Sequence, residues 1–166
     1  INSLKRAGIS KVVMMTGDSE RTARAVAAQI GVDEYYSEVL PEDKAGFVER
    51  EKAAGRKVIM IGDGINDSPA LSAADVGIAI SDGAEIAREI ADVTIGADNL
   101  YEIVTLKAIS NGLMKRIHKN YGSIILINAG LIALGVTGII QPTTSALLHN
   151  TSTLVIGLKS MQNLID

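Results

Sequence analysis

The chain has 166 residues, a formal net charge of −3 at pH 7 and no cysteine. This length suits one domain or slightly more. The acidic balance argues against nucleic acid as a main partner, because neutralising phosphates requires clustered Lys and Arg. Without cysteine, these residues offer no disulfide framework and no thiolate ligand for a metal.

Charge is distributed unevenly along the chain. Nearly all charged residues lie within residues 1–119, whereas Asn120–Leu158 contains no Asp, Glu, Lys or Arg. Because a bilayer-spanning helix needs about 20 mostly apolar residues, this charge-free tract predicts two spans. The chain begins with Ile inside a predicted amphipathic helix, Ile1–Ala7, and lacks the pattern of a signal peptide. We therefore expect a fragment of a longer protein.

Short apolar runs alternate with helical segments before that tract. Strands are predicted at Lys11–Thr16, Lys57–Ile61, Val76–Ile80 and Val93–Ile95. Helices are predicted from the Ser19 cap to Ile30 before Gly31, from Pro41 to about Ala54 before Gly55, after Asn66 or Asp67, and at Ala84–Ile90. The composition of the first two strands indicates burial on both faces. The alternation predicts an α/β fold with a parallel sheet.

The segment MIGDGINDSPAL, residues 60–71, places two carboxylates, Asp63 and Asp67, around glycines directly after a predicted strand. Glycine permits close approach of the backbone to a ligand. Carboxylate oxygens suit Mg²⁺, which usually keeps several of its waters. The alternative is an acidic turn that caps the following helix, since Asp and Asn are good N-caps.

Other polar residues are expected at the same edge of the sheet. Thr16, Gly17 and Asp18 follow the first strand, and Lys44 lies near the start of the helix between the two strands. In open parallel sheets, ligands bind beyond the carboxyl ends of the strands. A hydroxyl, an ammonium group and two carboxylates at one edge suit phosphoryl transfer, in which the protein supplies charge and positioning.

Each of these residues also has a purely structural alternative. Thr16 fits a strand-end hydroxyl that bonds to the backbone, Lys44 fits a solvated helix lysine, and Asp18 fits a bond to the next helix start. Their predicted convergence at one sheet edge favours a site over three unrelated surface residues.

A basic helix leads into the charge-free tract. It is predicted at Leu100–Lys119, and basic residues that flank a span favour the cytoplasmic side. The first span is predicted at Tyr121–Ile140, broken by Pro142, and the second from about Thr144 to Leu164. A buried hairpin of a soluble protein is the alternative, but soluble helices usually carry a polar stripe and these segments do not.

Few polar side chains interrupt the tract, and the most concentrated are in the segment HNTST at 149–153. Polar groups at membrane depth are costly and often line a transport path. Asn128, His149 and Asn150 are therefore candidate contacts for a transported ion. The alternative for HNTST is a helix cap at the outer turn, because His149 lies only seven residues past Pro142.

Three motifs in this order, MMTGD at 14–18, LPEDK at 40–44 and GDGINDSPALSAADVGIAI at 62–80, resemble the phosphorylation domain of P-type ATPases. These are ion pumps with a haloacid-dehalogenase-like catalytic core, and the resemblance covers nearly the whole chain. It implies a partial haloacid-dehalogenase-like (Rossmann-type) parallel sheet in residues 1–105, the C-terminal part of the phosphorylation domain. Residues 106–166 would be a linker helix and an α-helical transmembrane hairpin.

The resemblance also implies roles for individual residues. Thr16, Gly17 and Asp18 match the TGD motif of the family, in which the threonine contacts the phosphoryl group. Lys44 matches the lysine that steadies the phosphoaspartate. Both roles agree with the expected convergence of these residues at one sheet edge.

In the GDGIND segment, Asp63 matches the aspartate of the family that binds Mg²⁺. Asn66 and Asp67 match positions that support the phosphate and help to organise the metal site. In the family, an aspartate in a DKTGT motif accepts the γ-phosphate of ATP, and no DKTGT occurs in this chain. The resemblance thus implies Mg²⁺ and ATP as cofactors, with ATP bound mainly by a nucleotide domain outside these residues. We expect the chain alone to be inactive.

The last part of the chain resembles the heavy-metal (P1B) branch, which closes with two spans of this layout. The matching features are Asn120 and Asn128, eight residues apart, and HNTSTLVIGLKSM at 149–161. The Met-x-x-Ser-Ser pattern typical of copper pumps and the Asp typical of zinc pumps are both absent there. His149 favours a borderline divalent cation such as Zn²⁺, Cd²⁺ or Co²⁺, since imidazole suits these ions.

The sequence therefore predicts a fragment of an ATP-driven heavy-metal export pump that works through an aspartyl-phosphate intermediate. Its expected partners are the metal cation, membrane lipid and the missing N-terminal part of the same pump. We expect a multi-pass protein of a bacterial plasma membrane, with residues 1–119 cytoplasmic. The alternatives are a copper-type pump, a haloacid-dehalogenase-like phosphatase and a non-catalytic, membrane-anchored relative.

Overall fold

The structure is a computed structural model that describes residues 1–63, 65–80, 85–96 and 101–164. The chain divides into two compact units, Ile1–Thr105 and Leu106–Asp166. Gly64 of the GDGIND segment, and Ala84 and Leu100, the predicted first residues of two helices, lie outside the described residues.

Strands and helices alternate through the first unit, which confirms the predicted α/β class. The described elements are α1 Asn2–Arg6, β1 Val13–Met15, α2 Glu20–Ile30, β2 Glu34–Tyr36, α3 Pro41–Ala53, β3 Ile59–Gly62, a 3-10 turn Ile65–Asp67, α4 Ser68–Ala73, β4 Val76–Ile80, α5 Glu85–Ile90 and β5 Val93–Ile95. β4 and β5 have the predicted bounds. β2 was not predicted, because its strand signal is limited to two adjacent tyrosines.

The strands form two parallel sheets instead of the single predicted sheet. β1 pairs with β2, and β3, β4 and β5 form the second sheet with β4 in the centre. Ile59 lies opposite Val76, and Ile78 lies opposite Val93. Within the described residues, β1 and β3 are therefore each the outermost strand of a sheet.

The expected burial of β1 and β3 on both faces is wrong. The residues of β1 are half-buried, and in β3 Ile59 is 39% and Ile61 37% exposed. Both strands lie at a sheet edge, where fewer neighbouring side chains cover them. The central strand β4 is buried in its middle, where Ile78 and Ala79 are both 0% exposed, and half-buried at Val76 and Ile80.

An aspartate stands directly before three of the strands and bonds to the neighbouring strand. The carboxylates accept backbone N–H groups in the pairs Asp33 with Val12 (2.8 Å), Asp75 with Val58 (3.0 Å) and Asp92 with Gly77 (2.8 Å). Each N–H belongs to the residue opposite the aspartate when the strand register is extended by one step. These aspartates therefore help to fix the register at the amino ends of the strands.

The core of the second sheet lies between α4 and β4. Leu71 of α4 is 2% exposed, Ala79 of β4 is 0% exposed, and Met60 and Ala91 pack against them. A Cβ on Gly77 would lie 2.8 Å from the carbonyl oxygen of Leu71. Only glycine therefore allows α4 to approach the sheet this closely.

The first helix of the second unit is α6, Tyr101–Val136, which begins within the first unit. It joins the predicted basic helix and the predicted first span into one helix, because no proline separates them. It also ends before the predicted Ile140. Gly138 then takes a left-handed φ of 72°, as is common just after a helix ends.

The second helix, α7, runs from Pro142 to Ser160, so it begins and ends earlier than the predicted Thr144 and Leu164. Pro142 fits the first turn, because backbone N–H groups there have no carbonyl partner within the helix and the missing N–H of proline costs no bond. The HNTST segment lies inside α7. The alternative that HNTST caps a helix at the outer turn is therefore wrong.

α6 and α7 run antiparallel, and Arg116 of α6 bonds to the carboxyl end of α7. Its guanidinium donates to the backbone carbonyls of Ser160 (2.9 Å), Asn163 (2.7 Å) and Gln162. These contacts satisfy carbonyls that the end of a helix leaves unpaired. Asn120 Nδ2 also donates to Ser160 Oγ at 2.6 Å, which strengthens the same end of the hairpin.

Among the helices of the described residues, α6 is the one with the length and hydropathy needed to cross a membrane. α7 falls short because its first half is rich in polar residues, among them Thr143, Thr144, His149 and Asn150. By composition, the structure thus supports one of the two predicted spans.

Candidate functional site

The carboxyl end of β3 is built around a buried aspartate. Asp67, at the end of the 3-10 turn, is 7% exposed, and its side chain lies against Gly62. A Cβ on Gly62 would be 2.5 Å from the Asp67 Cβ and 2.9 Å from its Oδ2. These distances are shorter than van der Waals contact, so Asp67 can occupy this position only beside a glycine.

Lys44 of α3 pairs with this buried aspartate. Its Nζ donates to Asp67 Oδ1 at 2.7 Å, and the two side chains are 14% and 10% exposed. The other carboxylate oxygen accepts the N–H of Asp63 at 3.4 Å. Because an unpaired buried charge is expensive, the pair holds α3 to the turn after β3. The alternative of a solvated Lys44 is therefore wrong.

Asp63 and Asn66 are exposed, and their side chains make no hydrogen bond or ion pair within the described part of the chain. Asp67 directly precedes α4, but its side chain makes no capping bond there. The alternative that Asp67 serves as a helix cap is thus wrong. Of the two predicted carboxylates, Asp67 is committed to Lys44, and Asp63 is open to a ligand.

This arrangement fits a Mg²⁺ ion held jointly with a phosphate. Mg²⁺ in phosphoryl-transfer sites is commonly bound by one or two carboxylates, with waters and phosphate oxygens as the other ligands. Asp63 offers one such carboxylate at a strand end. In the described residues, no group of three or more His, Cys, Asp or Glu side chains forms a complete metal cage. The site therefore suits a shared ion better than a structural one.

At the end of β1, Thr16 and Asp18 bond to each other. Thr16 Oγ1 donates to Asp18 Oδ2 at 2.8 Å and accepts the Asp18 N–H at 3.2 Å. The threonine hydroxyl thus makes the local backbone contact that was its structural alternative. The hydroxyl proton is used in the bond to Asp18. Thr16 must therefore break that bond before it can donate to a phosphoryl oxygen. Gly17 between them is exposed.

The segment after β2 joins the two parts of the site. Val39 donates its N–H to the Thr16 carbonyl at 3.0 Å. The next residue, Leu40, precedes α3, and Asp43 Oδ2 accepts its N–H at 3.2 Å. The start of α3, which carries Lys44, is thereby held close to the end of β1.

The structure brings the predicted site residues together as two pairs, Lys44 with Asp67 and Thr16 with Asp18. Within the described residues, no hydrogen bond joins one pair directly to the other. The connection is through the backbone of the segment after β2 and the start of α3.

Glu38 contributes to this connection and was not predicted. It has a φ of 54°, in the left-handed region that residues with a side chain seldom adopt. Its N–H donates to the carbonyl of Asp18 at 2.9 Å. Glycine or asparagine would be the usual signal for this conformation, so the sequence carries no mark of it.

In the second unit, two of the three candidate ion contacts meet. His149 Nδ1 of α7 lies 2.8 Å from Asn128 Oδ1 of α6. Asn128 is eight residues from both Asn120 and Val136, which corresponds to about 12 Å in each direction along a helix. The contact therefore lies in the middle of the charge-free part of α6. Asn150 is exposed, and its side chain has no described partner.

The chain as a whole is similar to known proteins. Residues 1–75 match the family model described as haloacid dehalogenase-like hydrolase. The manganese-exporting P-type ATPase of Mycobacterium leprae is 39% identical over 157 residues, which are 94% of this chain and 22% of that protein. The probable copper-importing P-type ATPase A of Enterococcus hirae is 42% identical over 144 residues, covering 86% of this chain and 20% of that protein.

A solved structure extends the match to both units. The crystal structure of a zinc-transporting PIB-type ATPase in the E2.Pi state matches all of this chain with a TM-score of 0.89 and 30% identity, over 27% of that protein. The chain is a relative of the metal-transporting P-type ATPases. This confirms the resemblance that the three motifs indicated. The chain spans about a fifth of the length of these curated P-type ATPases.

Proposed function

We propose that this chain is part of an ATP-driven heavy-metal pump that works through an aspartyl-phosphate intermediate. The Lys44–Asp67 pair beside the open carboxylate of Asp63 carries the proposal. It provides a positive charge and a free cation ligand at the carboxyl ends of parallel strands, where ligands bind in such folds. The phosphate-accepting aspartate and the nucleotide domain that binds ATP would belong to the missing N-terminal part of the same pump.

Around β3, each residue has a distinct task. Asp63 would hold Mg²⁺, which when bound offsets charge on the transferring phosphoryl group. Lys44 contributes a second positive charge, and its bond to Asp67 keeps the ammonium group at the end of β3. Asn66, exposed beside them, supports the phosphate through its amide.

Around β1, the TGD segment supplies hydrogen-bond donors. Thr16 donates to a phosphoryl oxygen after it releases Asp18. Gly17 has no side chain, so the backbone of the segment is accessible to the phosphate. Asp18 holds the threonine hydroxyl in place until the phosphoryl group arrives.

The two separate sheets support the idea that another segment completes the site. β1 leads to Thr16 and β3 leads to Asp63, and neither strand is paired on one of its edges within the described residues. Neighbouring strands lie about 4.8 Å apart. A parallel strand that pairs with the unpaired edges of both β1 and β3 would carry its final residue to a point between the Thr16 hydroxyl and the Asp63 carboxylate.

For the transported ion, we propose a divalent cation of the Zn²⁺, Cd²⁺ or Co²⁺ type. The His149 imidazole suits these borderline metals. A copper-type pump is the second candidate, because the E. hirae relative is named for copper. Copper pumps favour soft sulfur ligands, and the tract from Asn120 to Ser160 contains neither Met nor Cys. The ligand chemistry of this chain therefore favours the divalent type.

The proposed setting is the lipid of a bacterial plasma membrane, with α6 and α7 spanning it. Lys115, Arg116 and Lys119 precede the charge-free tract, and basic residues next to a span favour the cytoplasmic side. Residues 1–119 would then be cytoplasmic. The polar first half of α7 would line the ion path. This role accounts for the lower hydropathy of α7 compared with α6.

Asp63→Ala in the full-length pump tests the proposal. Without the metal ligand, phosphoenzyme formation from ATP should be abolished, as measured by labelling with γ-phosphate-labelled ATP and acid gel. Glu49→Ala is the matched control, because Glu49 is also exposed and has no described partner; it should label normally. Normal labelling of Asp63→Ala would refute the proposed metal site.

The alternatives give different results in this labelling experiment and in a phosphatase assay of the isolated chain. A haloacid-dehalogenase-like phosphatase would turn over a small phosphomonoester with Mg²⁺ as the isolated chain. A non-catalytic, membrane-anchored relative would show no phosphoenzyme even in the unmodified full-length protein. The pump requires labelling of the full-length protein and no turnover by the chain alone.

A further inference from the structure

The contact between Asn128 and His149 constrains the chemistry of the imidazole. His149 Nδ1 faces the Asn128 side-chain oxygen at 2.8 Å. An amide oxygen only accepts hydrogen bonds, so the ring nitrogen facing it carries the proton. In a neutral imidazole, the other nitrogen, Nε2, then has a free lone pair. Within the described residues, Nε2 has no hydrogen-bond partner.

We propose that Asn128 is a positioning residue that holds His149 in the Nδ1–H tautomer and so presents Nε2 to the transported divalent cation. This inference rests on the proposed function, because it takes His149 as an ion contact. Metal-binding histidines commonly donate their second ring N–H to an oxygen acceptor, which sets the ring orientation and raises its basicity as a ligand. Asn128 thus acts through His149 instead of binding the ion itself.

Neighbouring groups on α7 leave Nε2 available. Ser152 Oγ and Thr153 Oγ1 both donate to the backbone carbonyl of His149, at 2.8 and 3.0 Å. Their protons are therefore committed to that carbonyl and do not compete for the imidazole lone pair. These bonds also hold the turn of α7 that carries the ring.

Contacts between the interior of α6 and the carboxyl end of α7 keep the two side chains opposite each other. Arg116 and Asn120 bond to the last turn of α7 and to the residues just after it. They fix how far α6 can slide along α7. A shift of one residue would move Asn128 about 1.5 Å along the helix axis, enough to break a 2.8 Å bond.

The tautomer can be read directly, because the chain contains only two histidines, His118 and His149. In a His118→Gln background, the full chain with ¹⁵N-labelled histidine would be placed in lipid bilayers at pH 8. We expect a protonated Nδ1 and an unprotonated Nε2 by ¹⁵N NMR. Asn128→Leu, which removes the acceptor, should shift the spectrum toward the Nε2–H tautomer.

Asn120→Leu is the matched control, because this second asparagine of α6 bonds to Ser160 and not to His149, and the three bonds of Arg116 still hold α6 in position along α7 without it. It should leave the tautomer unchanged. An Nε2–H signal in the parent chain would mean that the asparagine amide donates to Nδ1, which overturns the inference. An unchanged spectrum in Asn128→Leu would overturn it as well.

Zn²⁺ titration of the same samples separates the inference from the proposed function. We expect His149→Ala to remove the bound ion and Asn128→Leu to weaken binding about 10–100-fold, the usual effect of losing such a partner. Loss in His149→Ala with no change in Asn128→Leu would overturn the positioning role and leave the ion site intact. No change in either variant would refute the ion site itself.

Discussion

Asp67 occupies the space where a side chain on Gly62 would lie. We expect Gly62→Ala to displace the carboxylate and break its bond to Lys44. Overpacking of this kind typically costs about 1–3 kcal/mol, partly because it leaves a buried charge without its partner. The measurement is the free energy of unfolding of the chain in detergent, from a denaturant titration.

Gly46→Ala is a suitable control, because Gly46 lies inside α3 and its nearest neighbour, an Arg50 nitrogen, would be 3.5 Å from the new Cβ. Alanine favours a helix over glycine by about 1 kcal/mol, so this variant should be more stable than the parent. Equal destabilisation by both substitutions would show that the close approach of Asp67 to Gly62 is not the cause.

The sequence identified the residues of this site but not their pairing. Spacing and motif placed Lys44, Asp63 and Asp67 near one sheet edge. Which carboxylate is buried with the lysine depends on the path of the turn after β3, and that path depends on the approach of Asp67 to Gly62. The backbone contact of the Thr16 hydroxyl, which accepts the Asp18 N–H, was one of two alternatives that the sequence left open. Its bond to the Asp18 carboxylate was not predicted.

Strand register depends on the aspartates that precede β2, β4 and β5. The pKa of Asp75 lies below its ordinary value, chiefly because its carboxylate accepts the Val58 N–H, and Lys57 adds to the effect. A lowered pKa in the folded state stabilises the fold above the unfolded pKa of about 3.9. This stabilisation is lost as pH falls through the folded pKa.

We therefore expect Asp75→Asn, which resembles the protonated acid, to lower the Tm at pH 7. The difference from the parent chain should shrink as pH falls below about 4, the ordinary aspartate pKa. Thermal unfolding between pH 7 and pH 3 measures it. Glu49→Gln, at an exposed position without a described partner, should leave the Tm unchanged. If the difference in Tm between Asp75→Asn and the parent chain stays constant down to pH 3, the charge of the Asp75 carboxylate has no role in stability.

Among the elements, those with strong local signals were predicted well. β4 is a continuous apolar run with a clear beginning and end, and α2 lies between Ser19 and a left-handed Gly31. β2 was missed because its strand signal is limited to two adjacent tyrosines. The continuity of α6 was not predicted, because its composition changes from basic to apolar as at a boundary, although such a change does not interrupt a helix.

At the scale of the whole molecule, α6 presents large apolar side chains to its surroundings. Leu126, in the middle of its charge-free part, is 75% exposed. An arginine at the centre of a membrane span costs about 2.5–3.5 kcal/mol on insertion scales. We therefore expect Leu126→Arg to reduce the membrane-integrated fraction of the chain several-fold, as measured by alkaline carbonate extraction.

Ile30→Arg is the control for this substitution, because Ile30 is 44% exposed but belongs to the first unit. Ile30→Arg should have the same membrane-integrated fraction as the parent chain after carbonate extraction. If Leu126→Arg is also retained in the membrane fraction like the parent, lipid does not surround α6 at this position.

The loss of charge at Asn120 predicts a change in the character of the chain, but the two compact units divide earlier, between Thr105 and Leu106. The division of the strands into two sheets was not predictable, since alternating strands and helices reveal a parallel sheet but not the order of its strands. The open edges of β1 and β3 follow from that order.

Those open edges make the isolated chain prone to aggregation. A strand edge with free N–H and C=O groups is a template for other strands, and on β3 it is accompanied by the exposed Ile59 and Ile61. The same backbone that would accept an inserted strand can accept one from a neighbouring copy of the chain. We therefore expect the chain to aggregate when it is made alone.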